Sequence, residues 1–288
     1  PGRVRLTANE VRCKSLQEFK SPRLRSVSTL SVNNYSTQMT RRSVLVTGGS
    51  RGIGAAIARE FAQAGDQIAI HYVSSQSVAD EVCKSLVGDG HITAQADLRD
   101  ADAIRTMVNG VAKEFGKIDV LINNAGIFID HPIEGTTYEE WQEAWENTIG
   151  VNLIGAANAS WCALQHMPKN GTSRIVNIGS RGAFRGEPLS PAYGASKAAM
   201  VAFGQSIAKA LAPMYIGVTT LAPGFVETEM AARLLDGPEG DGIRAQSPFN
   251  RVAKPEELAK AVYFLASPDS EWASGAVLDF NGASYLRM

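Results

Sequence analysis

Tyr193 and Lys197 stand four residues apart at the head of a run of good helix formers. Ala198, Ala199, Val201, Ala202, Phe203, Ile207, Ala208 and Leu211 continue that run with apolar residues at helical spacing. The spacing places the phenol and the ammonium on one helix face. A free phenol titrates near ~10, and a cation within a few ångströms favours the phenolate. The pair can therefore work as a general acid, with Lys197 expected to lower the Tyr193 pKa. A Tyr and a Lys on a solvated helix face would look the same, so the elements that position them must decide.

The chain supplies those elements in order. Ser43–Thr47 reads as a short buried strand, running directly into Gly48-Gly49-Ser50-Arg51-Gly52-Ile53-Gly54 and then an apolar helix ending before Gly65. A strand, a glycine turn and a helix N-terminus in succession offer backbone N–H groups to a pyrophosphate, with no side chains blocking its approach. A second strand, 67–72, ends at Tyr72. An acidic residue for the 2′-hydroxyl of NAD is expected there, but Tyr72-Val73-Ser74-Ser75 holds none. Arg51 supplies a cation suited to a 2′-phosphate and the serines can add hydrogen bonds, so NADP(H) is expected over NAD(H). The alternation continues with a helix over 77–87, a strand over 91–96, Asp97-Leu98 at its end, and a helix through Phe115. A strand over 117–122 then ends in Asn123-Asn124-Ala125-Gly126.

Thr137–Met167 is expected to be mostly helical, with Asn152 inside it, where an amide needs a partner. A fifth strand over 173–178 ends at Gly179-Ser180. The last two strands are expected at 216–221 and 275–280. Strands separated by helix-length segments predict an α/β fold with a doubly wound parallel sheet of about seven strands, whose ligands sit beyond the C-terminal strand ends. Residues 227–250 carry several Gly and Pro behind a short apolar helix and are expected to form a mobile substrate loop.

Of 288 residues, 44% are hydrophobic and 20% charged, as in an ordinary globular chain. No apolar run reaches membrane-span length, so no membrane association is expected. Three scattered cysteines and four histidines without ligand spacing predict neither a disulfide framework nor a metal site. Residues 1–42 hold seven Arg and two Lys against two Glu, within a net charge of −1 for the whole. The remainder is thus acidic, which argues against a nucleic-acid surface. The basic, Ser-rich leader over 1–40 has transit-peptide composition, with a plastid address ahead of a mitochondrial one and a cytoplasmic location if the segment is not a targeting peptide.

Thr47-Gly48, Gly52-Ile53-Gly54, Asn123-Asn124-Ala125-Gly126, Asn152, Ser180, Tyr193-x-x-x-Lys197 and Pro223-Gly224 resemble, in the same order, the motifs of the short-chain dehydrogenase/reductase family over roughly residues 43–284. The resemblance implies a single Rossmann-type domain over 41–288. It implies Tyr193 as proton donor, Ser180 as the hydroxyl orienting a carbonyl, Lys197 on the nicotinamide ribose, and Asn152 on a water linking Lys197 to solvent. Asn124, Ala125 and Gly126 would line the adenosine side with Asp97 and Leu98, while Pro223, Gly224, Val226 and Thr228 would face the nicotinamide. A homotetramer is also implied.

Within the family the chain is most similar to 3-oxoacyl-[acyl-carrier-protein] reductases, through Ser50-Arg51 and Asn250-Arg251-Val252-x-Lys254-Pro255-Glu256. An acyl carrier protein is then a candidate partner. Two arginines common in such reductases fall near Gly171 and at Met214 here, with Lys169 and Arg174 as possible replacements. The alternatives are an NADPH-dependent reductase of a free small ketone, aldehyde, sugar or alcohol, or a dinucleotide-binding scaffold without catalysis. Phe184, Leu189, Phe225 and Phe249 are expected to line an apolar substrate pocket.

Overall fold

Along the first strand, Val44 and Val46 point to one face of a sheet and Leu45 to the other, and all three are fully buried. That period of two with both faces apolar is what a strand covered by helices on either side requires. The computed structural model describes residues 41–287. The basic leader, with the targeting expectation attached to it, lies outside the described residues.

Seven strands, β1 (Ser43–Val46), β2 (Gln67–Tyr72), β3 (Ile92–Gln95), β4 (Val120–Asn123), β5 (Arg174–Ile178), β6 (Gly217–Pro223) and β7 (Val277–Phe280), pair in the order β3-β2-β1-β4-β5-β6-β7. Every pairing is parallel. On one face lie α1 (Gly52–Gln63), α2 (Gln76–Ser85) and α10 (Pro255–Leu265), packing Ile57, Phe61 and Val262 against Val44, Ile68 and Ile70. The other face is covered by α3 (Ala101–Phe115), α5 (Ala156–Leu164) and α7 (Pro191–Leu211), with Ile104, Val108, Ala159 and Leu211 against Leu45, Leu121 and Ile175. After β3 the chain crosses back to the far side of β1, so β1 and β4 part at their C-terminal ends. This is the switch point where an open α/β sheet forms its ligand crevice.

The expected elements are present, and three differ in detail. β4 starts at Val120 because Lys117–Asp119 is spent on a corner: the Asp119 carboxylate accepts the Ser43 N–H at 2.8 Å and a Lys117 ion pair at 3.0 Å. The long helix expected over 137–167 is divided into α4 (Tyr138–Ile149), a π-helical turn over Gly150–Gly155, and α5. The extra residue of a π turn re-aims the side chains within it, and Asn152 is one of them. The segment 227–250 folds into two short helices, α8 (Glu229–Leu235) and α9 (Gly240–Ala245), and a small helix α6 (Gly182–Arg185) forms in the loop between β5 and α7. A small separate cluster of Ala231, Leu235 and Ile243 holds α8 and α9 together.

Candidate active site

The glycine turn between β1 and α1 is built for close approach. Gly48 and Gly52 adopt φ of +61° and +52°, the left-handed region that glycine enters without strain. A Cβ on Gly54 would lie 2.2 Å from the Gly48 carbonyl, so no side chain fits there. The Gly48 N–H donates to Nδ1 of His71 at 2.9 Å, and Nε2 of the same ring bonds the Ala96 carbonyl at 3.0 Å. These partners select the neutral tautomer with its proton on Nε2, and burial lowers the His71 pKa accordingly. Sequence reasoning gave His71 no role. The available signal was a histidine that follows Ile68-Ala69-Ile70 in a buried strand, where its ring nitrogens must find partners.

Thr47 also takes a different part from the one the motif implied. It is buried, donates to the Ile122 carbonyl at 3.1 Å, and accepts the N–H groups of Asn124 and Ala125 at 2.9 and 3.1 Å. It therefore positions the loop after β4 from behind the cleft wall. Asn124 completes that joint by donating to the Thr47 and Gly48 carbonyls at 2.8 and 3.1 Å.

Beyond the strand ends lies a cleft of about 860 Å³. Gly48, Ser50, Arg51, Gly52, Ile53 and Gly54 line it, with Tyr72, Ser74, Asp97 and Leu98 further along. Asn124, Ala125 and Gly126, then Pro223, Gly224, Val226 and Thr228, continue the wall to Ser180, Tyr193 and Lys197. Arg51 is largely exposed at one end, 3.5 Å from Glu229 of α8. Arg99 binds Asp97 and holds its carboxyl below the usual range. The volume, the glycine floor and the helix N-terminus fit an extended dinucleotide.

At the other end Ser180 closes β5 and Tyr193 rises from the first turns of α7. The Ser180 hydroxyl accepts the Gly182 N–H at 3.0 Å, and the Phe128 ring meets the Tyr193 ring edge-on with centroids 4.9 Å apart. Lys197 is buried, donates to the Ile178 carbonyl at 2.8 Å, and holds Nζ 5.7 Å from the Tyr193 ring centroid. The expected depression of the phenol pKa is not what this arrangement produces. Burial, with Glu187 adding to it, outweighs the neighbouring Ser180 hydroxyl and pushes Tyr193 up to about 12. Burial also pushes Lys197 down to about 8. Both groups face the same desolvation, which penalises each charged form and overrides their mutual attraction.

Asn152 does not line the cleft. Its Oδ1 accepts the Ile127 N–H at 2.8 Å, and its Nδ2 donates to the Ile127 carbonyl at 3.0 Å and to Ser196 Oγ at 3.1 Å. Ser196 in turn donates to the Tyr193 carbonyl at 2.8 Å. The side chain thus ties the loop after β4 to α7. A Cβ on Gly126 would lie 3.3 Å from Asn152 Oδ1 and 3.4 Å from Lys197 Nζ, which shows how closely the three elements meet.

The substrate side departs most from expectation. Leu189 and Phe225 line the cleft, but Phe184 packs under the Arg287 guanidinium at 4.5 Å, and Phe249 lines an adjoining cavity of about 260 Å³. Arg174 cannot replace a docking cation, because its buried guanidinium donates to the carbonyls of Gly171, Ser173, Ser267 and Pro268. Lys169 is exposed. Arg181, Glu187, Ile129 and Gln246 line the cleft without having been singled out by any motif.

The family model described as enoyl-(acyl carrier protein) reductase matches residues 48–282. A 3-oxoacyl-[acyl-carrier-protein] reductase of Vibrio cholerae is 36% identical over 242 residues, covering 84% of this chain and 96% of the relative. A short-chain dehydrogenase of Burkholderia cenocepacia, solved in complex with NADP, is 35% identical with a TM-score of 0.76, over 84% of this chain and 97% of that one. A blue fluorescent protein from a metagenomic library, solved with NADPH, is 34% identical with a TM-score of 0.77, over 85% and 98%.

Proposed function

The chain belongs to the short-chain dehydrogenase/reductase family, and on that premise we propose that it is an NADPH-dependent reductase that turns the ketone of a 3-oxoacyl thioester into a secondary alcohol. The coarser reading, an oxidoreductase acting between carbonyl and hydroxyl groups, follows from the family itself. One observation carries the finer one: the Ser180 hydroxyl and the Tyr193 phenol both line the glycine-floored cleft, beside Lys197. Two hydroxyls on one cleft wall suit a carbonyl oxygen, which can accept from both.

The bound dinucleotide supplies a hydride to the carbonyl carbon, and the protein supplies position and a proton. Ser180 donates to the ketone oxygen and orients it. Tyr193, held neutral at about 12, transfers its phenolic proton to that oxygen as negative charge develops there. Lys197 lines the same cleft, where the nicotinamide ribose would lie, and places a cation 5.7 Å from the Tyr193 ring centroid. Gly48, Gly52, Gly54 and the α1 N-terminus would hold the pyrophosphate. Arg51, Ser74 and the acid-free end of β2 would hold the 2′-phosphate, as the neighbours solved with NADP and NADPH support. The 3-oxoacyl assignment draws on the relatives of that activity.

Replacing Tyr193 with Phe tests the chemistry. Turnover is expected to fall by roughly 10²–10⁴-fold while NADPH binding persists, as loss of a positioned acid predicts; near-normal turnover would contradict the mechanism. For the cofactor, Arg51→Glu is expected to raise the KM for NADPH far more than that for NADH. Equal effects would remove the 2′-phosphate assignment.

A further inference from the structure

Arg181 follows Ser180 directly and is buried, yet no carboxylate among the described residues pairs with it. Its Nη1 donates to Ser284 and its Nη2 to Gln246, both neutral, and its guanidinium lies 5.1 Å from the Phe225 ring centroid. A guanidinium carries five N–H donors, so three remain beyond these two bonds. Arg181 lines the main cleft and the adjoining cavity alike. The charged groups nearest it are Arg185 and Glu187, which pair loosely with each other at 3.5 Å.

A buried charge facing a cavity with neutral partners is costly for the fold alone, since a neutral amide could make the same two hydrogen bonds. The charge gains its return from a group that enters the cleft. We propose that Arg181 is a specificity-determining residue that donates to the acyl oxygen of a 3-oxoacyl substrate whose ketone oxygen is held by Ser180 and Tyr193. This rests on the ketone-reductase reading above. The placement suits it: Ser180, Arg181 and Tyr193 line one cleft, and the two oxygens of a 3-oxoacyl group flank a single methylene. A ketone held by Ser180 and Tyr193 thus carries its second oxygen along a wall that a guanidinium fork shares. The burial that lowers Arg181 to about 10 leaves it cationic at neutral pH.

The test compares the full chain and its Arg181→Met and Arg181→Lys variants on two substrates with NADPH: acetoacetyl-CoA, and a methyl ketone of equal acyl length lacking the second carbonyl. Arg181→Met is expected to lose at least roughly tenfold more kcat/KM on the thioester than on the methyl ketone. Arg181→Lys should recover part of that difference. Equal losses on both substrates would overturn the proposal and leave Arg181 a structural pin, with thioester reduction by the wild type intact. A wild type that reduces the methyl ketone but not the thioester would overturn the proposal and the 3-oxoacyl reading together. If Arg181→Met does not fold, Arg181→Gln retains donors for Ser284 and Gln246 without the charge, and the same ratio decides.

Discussion

The two sides of the cleft are built differently. On the sheet side, Lys197, Asn152 and Thr47 are buried and joined by hydrogen bonds to the backbone of β5 and of the loop after β4. On the opposite side, α8 is held by a small apolar cluster that includes Phe225 and Val252 and by the ion pairs Arg233–Asp130 and Arg51–Glu229, and three of those four charged side chains are more than half exposed. Leu189 and Met230 also stand open to solvent there. A proton donor must be held to a fraction of an ångström, and close packing with satisfied polar groups achieves that. A wall that admits and releases substrate needs contacts that water can replace, and surface ion pairs are of that kind. On the proposed reading, the proton donor sits on the rigid side, and substrate enters and leaves past the soft one.

That contrast can be broken at graded cost. The largest effect is expected from Lys197→Met. Folded Lys197 gives up its proton near pH 8, whereas the unfolded side chain keeps it to about 10.5. Between those values the unfolded chain holds more protons, so wild-type stability rises with pH there. The variant lacks this gain of roughly 3 kcal/mol. Its stability relative to wild type should therefore be most favourable below pH 8 and fall steadily from 8 to 10.5 in denaturant titrations. A difference that is flat with pH would show that Lys197 is not desolvated as described.

A smaller effect is expected from Asn152→Ala, which leaves the Ile127 N–H and carbonyl without their partner. The loss should be about 2 kcal/mol, seen as a thermal midpoint lower by roughly 4–8 °C, together with a fall in kcat as α7 loses its tie. An unchanged midpoint would mean that the loop after β4 is held by other contacts. The smallest is Arg233→Gln on the soft side. Stability should change by less than ~1 kcal/mol, with the effect confined to the KM for substrate while that for NADPH stays put. A loss of stability comparable to that of Asn152→Ala would erase the distinction between the two sides.

The same contrast explains what was legible in the sequence. The rigid side speaks in local terms: strand, glycine turn, Asn124-Ala125-Gly126, Tyr193 four before Lys197. Each is a backbone demand or a helical spacing, and each stands where it was expected. The π turn at Gly150–Gly155 was not legible, because Asn152 is re-aimed by partners, Ile127 and Ser196, that lie far away in the chain. The partners of Thr47 and His71 were not legible for the same reason, since they lie across the sheet at Ala125 and Ala96. The Tyr193 pKa was misjudged in direction because spacing reports the nearby cation and not the burial of both groups. On the soft side, Phe184 and Phe249 follow no period, and only the folded loop shows that they miss the cleft.

NADPH oxidation by the full chain, followed against acetoacetyl-CoA and against a methyl ketone of equal acyl length, tests the assignment most directly. The account predicts thioester-dependent NADPH consumption, with a kcat/KM above that for the simple ketone and above that with NADH. Reduction of the simple ketone with no turnover of the thioester would contradict it.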